Sequence, residues 1–174
     1  MFKIKPLSHI FSSFVIFAIV IAVTFGALGI TSAHATGVLY VKSNGTGNCT
    51  SWGSACSLQT ALAHATSGSE IWVTTGIYKP GTSRTATFIL RYGVAVYGGF
   101  IGNETSRDQR NPTVHATILS GDIDNNDSQT PVITNLTTVT GNTTNSNHVV
   151  TNTTISTILD GFTITAGNAN IEGS

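Results

Sequence analysis

The stretch Thr157–Asn168, Thr-Ile-Leu-Asp-Gly-Phe-Thr-Ile-Thr-Ala-Gly-Asn, constrains the fold more than any other part of the chain. It reads as two very short strands, Ile158-Leu159 and Phe162–Thr165, hinged at Asp160-Gly161. Within the second, Phe162 and Ile164 alternate with Thr163 and Thr165, the period of two that puts one set of side chains on each face of a sheet. Asp-Gly between apolar runs is ordinarily a hairpin signal. The phrase recurs upstream, however, as Thr117-Ile118-Leu119-Ser120-Gly121 and more loosely as Val94-Ala95-Val96-Tyr97-Gly98-Gly99. Short strand, small-residue corner, short strand, repeated at intervals of tens of residues, describes a chain that keeps returning to the same place. It predicts a solenoid of β-strands.

Further strands are expected at Val38–Val41, Glu70–Thr74, Ile77-Tyr78 and Thr87–Leu90. The intervals Ile71 to Val94 and Val96 to Ile118 are nearly equal, each the length of one coil of three short strands and three turns. Ile118 to Ile158 is close to twice that and reads as two coils, with a Val149-Val150 strand between and an insertion of little apolar content at Asp122–Asn147. One helix is expected after the leader, over Ser57–Ala65. Ser57 suits the N-cap because its hydroxyl accepts from an orphan backbone N–H. Leu58, Ala61, Leu62 and Ala65 form one apolar stripe, and Gly68 suits the stop. A two-turn helix cannot stand alone, and the open end of a strand stack needs a cover, so this helix is expected to cap the solenoid at its N-terminal end. His64 falls on its polar side.

Ahead of this lies an address. Lys3 and Lys5 precede an uncharged apolar run from Ile10 to Ile30, and Ala33-His34-Ala35 follows. Positive start, apolar core and Ala-x-Ala together read as a secretory signal peptide cleaved after Ala35. The run is long enough that an uncleaved anchor is the alternative. Either way the remainder is exported, to the medium or the cell surface, and any membrane association is through this segment alone. The organisation that follows is 1–35 leader, 36–69 first strand, cysteine loop and capping helix, and 70–174 coils.

Cys49 and Cys56, the two cysteines of the chain, both lie in the exported part and are expected to pair in an oxidising compartment. Their spacing, with no second cysteine pair and no neighbouring His, is poor for zinc. Charged residues are 9% with a formal net charge of +0, against roughly 25% in ordinary globular domains. This excludes the basic face that nucleic acid requires.

The run Asp122-Ile123-Asp124-Asn125-Asn126-Asp127 is the most site-like stretch. Asp122, Asp124 and Asn126 present alternate carboxylate and amide oxygens, the donors a hard cation such as calcium takes. Asp127 stands where a calcium loop of the helix–loop–helix type needs Gly, and Ile133 where it needs Glu, so the run is not an EF-hand. The competing reading is a solvated loop of turn-forming Asp and Asn. Glu104, Arg107, Asp108 and Arg110 crowd into one short segment. Paired carboxylates can perform acid–base work on a sugar, but a carboxylate–arginine cluster is more often a set of salt bridges fixing a turn. His115 and His148 each stand alone. No catalytic residue is assigned, and calcium is the single cofactor the residues suggest.

Leu39-Tyr40-Val41, the Ser51-Trp52-Gly53 loop, the Ser57–Ala65 segment, GSEIWVTTGIYKP, GVAVYGGFIGNETSRDQR, ATILSGDID and ILDGFTITAGNAN together resemble bacterial secreted right-handed parallel β-helix proteins of the pectin-lyase-like fold, in the group with surface-anchored and polymorphic-outer-membrane-type repeats. The resemblance covers nearly all of Leu39–Asn170. It implies an all-β right-handed parallel β-helix with a short N-terminal capping helix. It also implies a sequence that normally runs on for hundreds of residues, so the chain is expected to be an N-terminal piece with its coils incomplete. The function implied is a non-enzymatic secreted or cell-surface module, stalk or adhesin-like, with extracellular carbohydrate or a host surface as partner. The alternative is the N-terminal part of a polysaccharide lyase or glycoside hydrolase. The Gly-His-Gly and Arg-Ile-Lys motifs of the pectin-degrading members do not occur in this sequence.

Overall fold

The computed structural model describes residues 37–152 and 155–169. The leader expected over 1–35 lies outside them. The described chain is mainly β, with one α-helix. Its strands are β1 (Val38–Val41), β2 (Glu70–Thr74), β3 (Gly76–Tyr78), β4 (Phe88–Leu90), β5 (Ala95–Phe100), β6 (Thr117–Ser120), β7 (Val150–Asn152), β8 (Ile158–Asp160) and β9 (Phe162–Thr165). They form three sheets, ordered β1-β2-β5-β8, β3-β6-β9 and β4-β7, and every pairing is parallel. From β2 onward successive strands therefore go to successive sheets, and the chain then returns to lie beside itself. This is the solenoid-like arrangement that the repeated phrase predicts.

The register shows why period two is the right reading. In the first sheet Leu39, Ile71, Val96 and Leu159 stand in one column and all pack in the central core. The alternate column, Tyr40, Trp72 and Tyr97, belongs to a second, outer apolar cluster with Phe100 and Trp52. In the second sheet Tyr78, Leu119 and Ile164 align; in the third, Phe88 lies beside Val150. Parallel sheets are ordinarily covered on both faces. Here the inner faces share one core, and the first sheet's outer face is covered by its own aromatic cluster.

The same register corrects the coil lengths read from sequence. Val96 pairs with Ile71 and Leu159, whereas Ile118 pairs with Ile77 and Thr163 in a different sheet. Val96 and Ile118 are thus successive strands of a single turn of the solenoid, not equivalents one coil apart. Thr117-Ile118-Leu119-Ser120 aligns with Phe162–Thr165, not with Thr157–Asp160, although it looks more like the latter. The cause is a loop over residues 101–116 between β5 and β6, in addition to the expected insertion between β6 and β7. Its length happens to bring similar phrases to similar spacing. Asp160-Gly161 is a corner between two sheets, with Gly161 at φ 82°, where a side chain would be strained.

The helix α1 spans Leu58–His64, with Ser57 as N-cap accepting from the Thr60 N–H. Leu58, Ala61 and Leu62 enter the central core beside Val41, Ile71 and Leu90, and His64 is exposed. The helix ends at Ala65 rather than at Gly68, which forms the next turn at φ 89°. Cys49 and Cys56 are disulfide-bonded, with Cα atoms 4.7 Å apart. Cys56 also forms a bridge with Val41 of β1, so the loop it closes is stitched to the first strand. Among the described residues no helix is long and apolar enough to cross a membrane.

Candidate functional site

Two groups of polar side chains were candidates in the sequence, and the structure treats them differently. The first, in the 101–116 loop, is engaged in holding the fold. The Glu104 carboxylate accepts from the backbone N–H groups of Ile101 (2.6 Å), Gly102 (2.9 Å) and Asn103 (3.0 Å). Burial alone would raise its pKa, but these donors outweigh it and hold the carboxyl below its ordinary value. Its carbonyl accepts from Trp52 Nε1 at 2.9 Å. Arg107 donates to Glu70 Oε1 at 2.8 Å and to the Tyr97 hydroxyl at 3.2 Å. Arg110 donates to both carboxylate oxygens of Asp160, and both guanidinium groups lie over the Tyr97 ring. Asp108, the remaining member, is exposed. The cluster closes a loop over the aromatic column of the first sheet.

The second group lies in the insertion between β6 and β7 and is built around a cavity of about 260 Å³ lined by Lys79, Ser120, Asp122, Asn125, Asp127 and Gln129, among others. Ser120 Oγ accepts from the Asp122 N–H at 3.2 Å as the chain leaves β6, and Asp122 Oδ1 accepts from the Asn126 N–H at 3.1 Å. The turn so formed leaves Asn125 in the left-handed region at φ 62°, a conformation that Asn tolerates. It also turns Asp127 back inward. Asp122 is 5% exposed and Asp127 7%. Lys79 Nζ reaches across from beyond β3 to Asn125 Oδ1 at 2.7 Å.

Of the three residues expected to ligate calcium, Asp122 alone reaches this cavity. Asp124 and Asn126 are exposed and face each other, Asn126 Nδ2 donating to Asp124 Oδ2 at 2.8 Å and to Thr144 Oγ1 at 2.9 Å. Among the described residues no three His, Cys, Asp or Glu side chains gather to hold a metal ion. The residues that sequence reasoning passed over are Asp127 and Asn145. Asn145 is fully buried, and its Nδ2 donates to Asp127 Oδ2 at 2.8 Å. Burial pushes the Asp127 carboxyl above its ordinary value; the Asn145 hydrogen bond opposes this, and the charges of Asp122 and Asp124 add to it. Asp127 stood in the acidic run but occupied a place where a calcium loop wants glycine, and nothing local marks Asn145 as its partner.

A larger open cleft of about 630 Å³ lies beside Lys42, Thr46, Trp52, Thr75 and Ile101. Its one aromatic donor, Trp52 Nε1, is already bonded to Glu104. His115 precedes β6 and His148 precedes β7, strands of two different sheets. Comparison with protein-family models, with curated proteins and with solved structures gives no match.

Proposed function

We propose that the chain is a secreted or cell-surface right-handed parallel β-helix of the pectin-lyase-like kind, serving as a stalk or adhesin-like module rather than as an enzyme. The observation that supports this is the run of outward side chains Glu70–Arg107–Tyr97–Arg110–Asp160, which joins β2, β5 and β8 in sequence. Charged and aromatic groups committed to tying one layer to the next stiffen a stack, and stacks of this kind extend by adding layers. The Cys49–Cys56 disulfide supports export, since such bonds persist in oxidising compartments. An extracellular carbohydrate or a host surface is the partner this reading implies.

One observation favours a second reading, the N-terminal part of a polysaccharide lyase or glycoside hydrolase. Asp122 and Asp127 share one cavity, and the Asp127 carboxyl is raised, as a general acid acting on a sugar would be. The two readings separate experimentally. The full chain is produced in a secreting bacterium, located by protease accessibility on intact cells, and alkylated without reduction. The expected result is a protease-accessible protein with both thiols blocked. A cytoplasmic protein with two free thiols overturns the export reading. New reducing ends or unsaturated products from a panel of acidic polysaccharides overturn the non-enzymatic one.

A further inference from the structure

The insertion between β6 and β7 carries an imbalance that its own hydrogen bonds do not resolve. Among the described residues three buried side-chain atoms have no hydrogen-bond partner: Asp127 Oδ1, Asn145 Oδ1 and Asn147 Oδ1. All three belong to this insertion, and all three are oxygens. A buried polar atom without a partner costs free energy, and orphans of both kinds would suggest poor packing. An excess of acceptors alone indicates a missing donor or positive charge.

The orientation of the Asn145 amide is determined. Asn145 Nδ2 is held by Asp127 Oδ2, and turning the amide over would set oxygen against carboxylate. Asn145 Oδ1, on a side chain with 0% exposure, therefore stays beside the same carboxylate with no partner of its own. The Asn145 backbone is fixed as well, its carbonyl accepting from Arg84 Nε at 3.0 Å. Asp122, also nine-tenths buried, lines the cavity together with Asp127.

We propose that this cavity binds a hard divalent cation of the calcium class, held by the Asp127 and Asp122 carboxylates that line it, with Asn145 positioning Asp127 from behind, and not by the exposed Asp124–Asn126 pair. Oxygen donors of mixed carboxylate and amide character are those such a cation takes. The charged groups lining the cavity are Asp122 and Asp127, opposed by the one ammonium of Lys79, and exposed Asp124 adds its charge from outside, which leaves a negative balance. The cation supplies the charge that two buried carboxylates lack, and ties the insertion down over β6 and the start of β7.

The test is thermal unfolding of the chelator-stripped full-length protein with added calcium or magnesium chloride, for wild type, Asp127→Asn and Asp124→Asn. Ligand binding to the native state raises Tm with concentration. The expected result is a calcium-dependent rise in wild type and Asp124→Asn, absent in Asp127→Asn. The asparagine is nearly isosteric and removes only charge, so that variant is expected to fold. An Asn145→Ala variant provides a second check and should weaken the calcium response at least tenfold. Three outcomes overturn the proposal: no response to calcium in wild type up to millimolar concentrations; equal loss in Asp124→Asn and Asp127→Asn; or a stability that depends on pH but not on calcium, in which case a proton on Asp127 is the occupant.

Discussion

Arg110 grips the carboxylate of Asp160 with two hydrogen bonds, Nη1 to Oδ1 at 3.2 Å and Nη2 to Oδ2 at 3.0 Å. The same Nη1 donates to the Gly98 carbonyl at 3.1 Å, so one side chain spans β5 and the end of β8. Its worth is bounded by exposure, because the Asp160 side chain is half open to solvent. Asp160→Ala is expected to cost about 0.2–1 kcal/mol. Arg110→Ala removes the carbonyl contact and the packing over Tyr97 as well, and should cost about 1 kcal/mol more. Urea midpoints of the two single variants and the double variant measure the coupling.

Gly98 approaches the next layer so closely that a Cβ there would run into the Gly161 carbonyl and lie 3.0 Å from Thr117 Cβ. Backbone atoms cannot rotate away, so Gly98→Ala should force the two layers apart and cost about 1–3 kcal/mol. Gly53→Ala is the control. Its Cβ would meet nothing nearer than Ser51 Oγ at 3.8 Å, and its effect should stay within about 0.5 kcal/mol. Equal destabilisation of the two would mean that β5 and β8 are not adjacent.

Leu62 is 3% exposed and packs where α1 meets the core. Leu62→Asp buries an unpaired charge and should cost more than about 4 kcal/mol, the extreme range for one substitution. Ala63→Asp, on the exposed face of the same helix, should be nearly neutral. A wild-type urea midpoint for Leu62→Asp would show that the helix covers nothing.

Tyr78 sets an alkaline limit. Burial pushes its hydroxyl up to about 12, against the opposing hydrogen bond from Thr74. A raised pKa in an acid means that folding favours the protonated form. Its contribution is fully present below the unfolded value of about 10 and is lost as pH rises through the folded value. Wild type should therefore lose stability between about pH 10 and about 12, and Tyr78→Phe should lose less over the same window. Circular dichroism melts across this window measure it.

The strands, the helix with its cap and the disulfide were legible because each is a local signal: alternation, a Ser followed by an apolar stripe, two cysteines in one short loop. The layer-to-layer register was not. It depends on loop lengths, and the 101–116 loop has no periodicity to betray it, so Val96 and Ile118 look like equivalents when they are neighbours in one turn. The same limit applies to the cavity. Asp127 and Asn145 meet only because the insertion folds back on itself, and the outward column Tyr40–Trp72–Tyr97 exists only once three strands are in register. A single sequence marks which residues want burial, but not which distant ones share it.

The column Tyr78–Leu119–Ile164 tests that register directly. Its members face the same way in consecutive strands, but Leu119 is 1% exposed and Ile164 52%. The difference is positional, since β6 has β3 on one side and β9 on the other, whereas β9 has one neighbour among the described residues. Truncation costs should follow burial. Leu119→Ala is expected to lose about 2–5 kcal/mol, and Ile164→Ala, with half its side chain already in water, about 1 kcal/mol. Both are read from urea midpoints at low micromolar protein. The measurement is then repeated at tenfold higher concentration, because an exposed edge strand pairs readily with another chain. A cost for Ile164→Ala that stays fixed with concentration marks a free edge. A cost that climbs toward that of Leu119→Ala shows that a second copy covers β9 in solution, and a small cost for Leu119→Ala itself would mean that the column is misaligned.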